Sequence, residues 1–207
     1  MCIYSALAGS VVFICAVAPC QIPKLAPFPL QMETRVPFDP TLFPSEGRSW
    51  PFYEMHLTNF SSSPLSLDRI EVADPESAAQ PLAVFDGKQL QSMITLLTAG
   101  SPTTPLQVAG GETIIVFISV SFQKDARVPD HLIHRIVASG GTAECAVIST
   151  HHTPLQVLAP PVEGANWLAD DGPGNEPDNH HRRGLHVFDG KPVISERYDH
   201  PPENCDS

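Results

Sequence analysis

The segment that decides the fold reads ETIIVFISVSF and spans residues 112–122. A strand with one face toward solvent alternates apolar and polar residues, whereas this segment is apolar at successive positions. Its apolar side chains belong to Ile114, Ile115, Val116, Phe117, Ile118, Val120 and Phe122. The pair Gly110-Gly111 predicts a turn directly before it. We therefore expect this segment to be the most buried strand of the domain.

A strand with a different pattern is predicted over residues 52–58. The odd-numbered positions are Tyr53, Met55 and Leu57, and the even-numbered positions are Glu54, His56 and Thr58. This alternation indicates a half-buried strand with one polar face. Further strands are predicted at residues 34–38, 65–72, 132–138, 144–150 and 155–158.

The alternation of apolar and polar residues that is typical of strands breaks at two places, each of which predicts a local feature. Within residues 65–72 the parity of the apolar positions changes after Leu67, which predicts a β-bulge near Asp68-Arg69. Residues 87–97 instead carry apolar side chains at helical spacing. These are Leu90, Met93, Ile94 and Leu97. We expect a short helix here that crosses between two sheets.

Together these patterns predict an all-β protein, an antiparallel sandwich of immunoglobulin or fibronectin type with one short helix. We expect a signal-like apolar segment over residues 1–20, a proline-rich lead-in over 21–33 and the sandwich over 34–160. Residues 161–207 contain an acidic linker rich in proline and glycine, a histidine and arginine cluster, a hairpin and an irregular tail. The 207 residues leave room for one core of moderate size.

The charge balance restricts the partners. The net charge is −11, with 12 Lys and Arg against 23 Asp and Glu. Nucleic-acid affinity comes mainly from Lys and Arg on phosphates, so nucleic acid is not an expected partner. An anionic membrane surface is disfavoured for the same reason.

The N-terminal segment is apolar from Ile3 to Ala18, which is long enough for a signal-peptide core. Export to the periplasm or the extracellular space is expected, with no membrane span after signal removal. No Lys or Arg precedes the apolar run, so an apolar N-terminal strand or helix remains the alternative. Lipid anchoring at Cys20 is the lesser alternative, because Pro19 stands where a lipoprotein box needs a small residue.

The five cysteines do not form a disulfide framework. Three of them, Cys2, Cys15 and Cys20, lie in the signal-like segment or at its end. Export would leave Cys145 and Cys205 as the one pair to oxidise. A buried free thiol at Cys145 is favoured over that bridge.

The C-terminal region reads as an extended linker followed by a hairpin. Residues 170–179 contain two prolines, two glycines and four acids, so they have nothing to bury and belong on a surface. After His180-His181-Arg182-Arg183, two short apolar runs flank Asp189-Gly190. Asp-Gly in this position predicts a two-residue type I′ turn, because both central residues need positive φ.

A distinctive set of residues runs through this region: Trp167, Gly172, Pro173, Asn175, His181, Arg182, Arg183, Arg197 and Tyr198. In these residues the region resembles the junction that precedes the catalytic domain in bacterial secreted zinc metallopeptidases of the LytM/lysostaphin type. The resemblance covers residues 36–198 and implies a leading β-sandwich domain, followed after the Arg-Tyr pair by a cell-wall hydrolase. Zinc is the cofactor of that family, held by His-x-x-x-Asp and His-x-His. Neither spacing occurs in this chain. We therefore expect the leading domain and junction of such a protein, truncated before the catalytic domain, with no catalytic residue and no cofactor.

Three histidines of the C-terminal region are candidate metal ligands. His180, His181 and His186, with Asp178 or Asp189, offer the nitrogen and oxygen ligands that zinc or nickel takes. Adjacent histidines on an extended loop point apart, however, so a solvated loop is favoured. We expect the remaining candidates to be satisfied surface or boundary histidines; they are His56, His131 and His134.

The leading hypothesis is therefore a non-catalytic accessory or binding domain of an exported cell-wall metalloendopeptidase-like protein, whose partner is the cell wall or another protein. The first alternative is a hydrolase that holds zinc with its histidine tail. The second is a stand-alone sandwich that binds a partner by strand addition.

Overall fold

The computed structural model describes residues 30–77, 79–97, 104–154, 163–164 and 184–194. The strands are β1 Met32–Arg35, β2 Leu42–Ser45, β3 Arg48–Asn59, β4 Leu65–Ala73, β5 Pro81–Asp86, β6 Ile94–Leu96, β7 Gln107–Val108, β8 Thr113–Ser119, β9 Phe122–Gln123, β10 His131–Ala138, β11 Gly141–Ser149, β12 Leu185–Phe188 and β13 Lys191–Ile194. A 3-10 turn spans Pro75–Ser77, and the helix α1 spans Gly87–Ser92.

The strands form two main sheets. Sheet 1 has the order β1-β3-β8-β6, with β2 and β9 also paired to β3. Sheet 2 has the order β11-β10-β4-β5, with β7 also paired to β4. All of these ladders are antiparallel. The predicted all-β antiparallel class with one short helix is confirmed for the described residues, while the immunoglobulin or fibronectin subtype stays a prediction.

The main core lies between the two sheets. Sheet 1 contributes alternate residues of β3 and β8, and sheet 2 contributes alternate residues of β4 and β10. The buried side chains at the centre are Tyr53, Met55, Leu57, Ile114, Val116, Ile118, Leu67, Ile70, Val72, Leu132 and Ile136. Burying each aliphatic side chain is worth about 1.5–3 kcal/mol relative to exposure. This shared layer makes the two sheets a sandwich.

The strand β8 is buried on both faces, as its sequence predicts. Every side chain from Ile114 to Ile118 is at most 1% exposed. Ile115 and Phe117 point away from the main core and form a second cluster with Ile194. The strand ends at Ser119 and the chain resumes pairing at β9, so the predicted segment is two strands.

Residues 87–97, which the sequence predicts to be helical, form a short helix followed by a short strand. The helix α1 follows β5 of sheet 2 and leads into β6 of sheet 1, so the predicted crossing between sheets is confirmed. It buries Leu90 and ends at Ser92. The prediction that helix continues to residue 97 is wrong, because Ile94–Leu96 pairs with residues 114–116 of β8. Ladder hydrogen bonds to a buried strand outweigh the local helical spacing.

The register of sheet 2 shifts at three places, one of them between Val72 and Ala73 in the β4–β5 ladder. The other two are bulges in the ladders that β10 makes with β4 and β11. The register passes from Val137 opposite Arg69 to Ala138 opposite Leu67, so Asp68 is the extra residue. This confirms the predicted bulge. In β11 the register passes from Leu132 opposite Ile148 to His134 opposite Cys145.

The second bulge is held by a buried histidine. Ala146 lies in the bulge and has φ +47°, which is uncommon for a residue other than glycine. Its carbonyl oxygen is 2.6 Å from Nδ1 of His134 and can only accept, so Nδ1 carries the proton. Nε2 therefore accepts from the hydroxyl of Tyr53 at 2.8 Å. Since His134 is 0% exposed, the prediction of a surface or boundary histidine is wrong for this residue.

Burial keeps the His134 ring neutral. Desolvation lowers the pKa of His134 from 6.5 to about 4, although the Ala146 hydrogen bond opposes the shift. The free thiol of Cys145 lies opposite His134 and is partly exposed. Burial raises its pKa, which keeps the thiol protonated.

Several expectations concern residues outside the described ranges: the signal-like segment 1–20, most of the lead-in 21–33, the strand predicted at 155–158, and Cys205. Among the described residues, no helix has the length and apolar character needed to cross a membrane.

We expect the free energy of unfolding to fall as the pH is lowered from about 6.5 to about 4. In this window the unfolded chain binds a proton at His134 and the folded chain does not, so acid favours unfolding. The contribution is complete above the unfolded pKa and amounts to roughly 3 kcal/mol. Urea unfolding across this pH window measures it.

Two variants separate His134 from other titrating groups. His134→Gln should lose most of the pH slope in this window, whatever its stability at neutral pH. His131→Gln, at an exposed position of the same strand, should keep it. An unchanged slope in His134→Gln would contradict the assignment.

Candidate functional site

The sequence-predicted site residues fall largely outside the described ranges. This is true of Trp167, Gly172, Pro173, Asn175, His180, His181, Arg182, Arg183, Arg197 and Tyr198. His186 is described and lies exposed on β12, where its ring stacks on Phe188 with centroids 6.4 Å apart. In the described part of the chain, no three His, Cys, Asp or Glu side chains are grouped so that they could hold a metal.

The hairpin predicted around Asp189-Gly190 is present. The strands β12 and β13 are antiparallel, and Phe188 pairs with Lys191 across a two-residue turn. Asp189 has φ +48° and Gly190 has φ +72°, the two positive values that a type I′ turn requires. The local sequence signal therefore predicted both the position and the type of this turn.

The hairpin packs against the outer face of sheet 1, the face opposite the main core. Ile194 is 2% exposed and packs with Ile115, Phe117 and the partly buried Leu97. Val193 is also buried. At the other end of β13, the Lys191 ammonium donates to the carbonyl of Pro37 at 3.0 Å. The same ammonium lies 5.0 Å from the ring centroid of Phe38, a cation–π contact.

A buried carboxylate fixes the end of the hairpin. Oε1 of Glu54 accepts the backbone N–H of Ile194 at 2.9 Å. Oε2 of Glu54 is 2.9 Å from Nε2 of His56. Glu54 is 5% exposed and His56 is 2% exposed, so both interactions are shielded from water. Hydrogen bonds to a charged group are stronger than neutral ones, each worth about 1.5–3 kcal/mol.

The protonation of His56 follows from its partners. Nδ1 lies 3.2 Å from Nη2 of Arg35. Since arginine can only donate, Nδ1 accepts and the ring proton lies on Nε2, which donates to Glu54. Arg35, His56, Glu54 and the N–H of Ile194 form one chain of hydrogen bonds, which we call the hairpin clamp. In it His56 is a neutral imidazole.

The hairpin clamp was missed by sequence reasoning. The parity of β3 correctly placed Glu54 and His56 on one polar face, but the expectation that the strand is half-buried was wrong. The sequence signal that could have indicated this burial is the apolar character of both faces of the neighbouring strand β8. Glu54 lies opposite Phe117 and His56 opposite Ile115, so the apolar outer face of β8 requires a cover that also buries its polar neighbours.

Each polar group of the hairpin clamp is held by a hydrogen bond within the chain. A general base needs an unoccupied lone pair within reach of a substrate proton. Nδ1 of His56 accepts from Arg35, and its Nε2–H is donated to Glu54. Both carboxylate oxygens of Glu54 are also engaged. The geometry therefore supports a structural attachment of the hairpin rather than an acid–base site.

The outer face of sheet 2 carries an ion network around Glu71, whose side chain is largely buried. Glu71 contacts Arg69 at 2.6 Å and Arg135 at 2.8 Å, and Arg135 also contacts Glu144 at 2.7 Å. The hydrogen bond from Arg69 is the main cause that holds the pKa of Glu71 below its usual value. Glu144 and Arg69 are well exposed, so these pairs contribute little to stability.

A second feature of sheet 1 lies on the β2–β3 hairpin. Phe43 pairs with Trp50 across the two strands. The ring centroids of Trp50 and Phe52 are 5.9 Å apart, and their planes differ by 13°. Phe43 contacts Phe52 edge-on, with ring centroids 6.4 Å apart. The guanidinium of Arg48 lies 5.9 Å from the Trp50 ring. We call Phe43, Trp50 and Phe52 the aromatic patch.

Comparisons with known proteins give no family. No family model matches the chain, and no curated protein matches it. A solved structure described as the X-ray structure of Northeast Structural Genomics Consortium target SoR45 is similar at 10% identity. The similarity covers 69% of this chain and 95% of that chain, with a TM-score of 0.27. A likeness at this level carries no argument about function.

We expect Glu54→Ala to detach the hairpin from sheet 1. The substitution removes the acceptor of the Ile194 N–H and leaves His56 without its carboxylate, at a cost of roughly 3 kcal/mol in unfolding free energy. Hydrogen exchange measured by mass spectrometry should show faster exchange over residues 185–194 than in the wild-type chain.

The matched control is Glu33→Ala, which removes an exposed carboxylate from the neighbouring strand β1. This variant should leave hairpin exchange and stability within about 0.5 kcal/mol of the wild type. Equal exchange over residues 185–194 in all three proteins would show that Glu54 does not hold the hairpin.

Proposed function

We propose that this chain is a non-catalytic accessory or binding domain of an exported cell-wall metalloendopeptidase-like protein, acting in the periplasm or outside the cell. The observation that carries the proposal is the attachment of the junction hairpin to the sandwich by the hairpin clamp. In this proposal the sandwich holds the chain at the point where a catalytic domain follows in the resembled family.

The position of the clamp supports this role. Ile194 lies three residues before the Arg197-Tyr198 pair that marks the junction in the resembled family. Its backbone N–H is bonded to a buried carboxylate, and its side chain fills the apolar cluster on β8. A residue held by both contacts leaves the sandwich at a defined place and direction. A domain attached shortly after it would be positioned by the sandwich and not by a free linker.

The chemistry of the described residues supports a binding role. Both partners of the buried His–Glu pair are engaged in hydrogen bonds within the chain. Zinc and a reactive water would belong to the catalytic domain of the resembled family, whose ligand spacings this sequence lacks. The proposal assigns binding and positioning to the sandwich, with the cell wall or another protein as partner.

We expect the purified chain to sediment with peptidoglycan sacculi in a saturable manner and to leave them intact when zinc is added. The bound fraction is measured in the pellet, and lysis is followed by turbidity with and without a chelator. Zinc-dependent turbidity loss would contradict a non-catalytic domain. Failure to sediment would contradict the cell-wall form of the proposal.

A triple variant addresses the alternative in which the histidine tail holds zinc. Replacing His180, His181 and His186 by Ala should leave the zinc content of the dialysed chain unchanged, measured by elemental analysis. A stoichiometric zinc that is lost in this variant would favour the alternative.

A further inference from the structure

The aromatic patch is the most exposed apolar feature of sheet 1. Phe43 is 48% exposed and Phe52 is 38% exposed. Trp50 and Phe52 share the parity of Glu54 on β3, so the aromatic patch lies on the same face as the docked hairpin. The docked hairpin covers the outer face around Glu54 and His56, while Phe52 of this row remains exposed and Trp50 is half-buried.

Hydrogen bonds within the chain hold Trp50 of the aromatic patch and the neighbouring Arg48. Glu46 and Gly47 form a two-residue turn with φ +51° and +69° between the paired Ser45 and Arg48. The indole N–H of Trp50 donates to the carbonyl of Ser45 at 3.3 Å. The Arg48 guanidinium donates to Oγ of Ser121 at 2.7 Å. Side chains held in this way lose little conformational entropy on association.

The composition of this surface is that of a protein interface. Tryptophan, other aromatic residues and arginine are enriched at the centres of protein interfaces, where they supply most of the binding energy. The indole N–H of Trp50 is already bonded within the chain, so its ring offers apolar area rather than a free donor. An apolar protein surface is therefore the better fit.

The charges beside the aromatic patch are self-complementary. Glu46 is exposed at the turn, and Arg48 follows it by two residues. Among the described residues neither side chain takes part in an ion pair. The bonds of Arg48 to Ser121 use Nη2, and the guanidinium has further donors. In a two-fold interface, a residue of one copy contacts a different residue of the same patch in the other copy. Two neighbouring side chains of opposite charge can therefore form two equivalent ion pairs across the axis.

We propose that the aromatic patch is the interface of a two-fold homodimer, in which Arg48 of each copy meets Glu46 of the other and the aromatic rings pack across the axis. The net charge of −11 per copy opposes association. At physiological ionic strength, however, charges beyond about 8 Å are screened, so the charges close to the interface decide.

The test is sedimentation equilibrium of the full chain with charge-reversal variants. Wild type should dimerise reversibly. Glu46→Arg and Arg48→Glu each place like charges together at two symmetric contacts, so each should weaken the dimer by about tenfold or more. The double variant Glu46→Arg/Arg48→Glu restores opposite pairs and should recover the wild-type dissociation constant within about threefold.

Matched controls separate the interface from net charge and folding. Lys88→Glu changes the net charge as Arg48→Glu does, but lies exposed on α1, and should leave the dimer unchanged. Phe43→Ser should weaken the dimer while circular dichroism and thermal unfolding stay close to wild type. A monomeric wild type would overturn the proposal. A dimer weakened equally by Lys88→Glu, or one that the double variant does not restore, would also overturn it.

Discussion

The structure depends on one strand that must be covered on both faces. Strand β8 is apolar at five successive positions, Ile114 to Ile118, so neither face can be left to water. Sheet 2 covers the inner face. The outer face needs another element, and the β12–β13 hairpin supplies it by placing Ile194 against Ile115 and Phe117. The hairpin is thus a consequence of the strand at the centre of sheet 1.

The hairpin that covers this face also buries two polar side chains, and the hairpin clamp provides their hydrogen-bond partners. Glu54 and His56 lie directly opposite Phe117 and Ile115, so any element that shields the apolar pair also shields the polar one. A buried carboxylate without partners is strongly unfavourable, whereas one with donors on both oxygens is stabilised. The N–H of Ile194 and the imidazole of His56 are those donors. Apolar packing brings the hairpin to this face, and the buried carboxylate fixes its register.

The sequence alone predicted the features that depend on local signals. Asp189-Gly190 needs positive φ at both positions, Asp68 shifts the parity of its strand, and the run of apolar residues in β8 requires burial. The burial of Glu54, His56 and His134 could not be predicted in the same way. It depends on partners far along the chain, such as Tyr53 for His134 at 81 residues and Ile194 for Glu54 at 140 residues. A polar residue on a strand has the same local pattern whether water or a distant hairpin covers it.

The long sequence separation also bears on how the hairpin is attached to the sandwich. The cost of closing a loop grows only with the logarithm of its length, so a docking residue 140 positions from its acceptor is tolerated. The contacts that repay this cost are concentrated on Ile194, whose side chain and backbone N–H are both buried. Among the described residues, the Ile194 end of the hairpin is therefore where apolar packing and a buried hydrogen bond act on one residue.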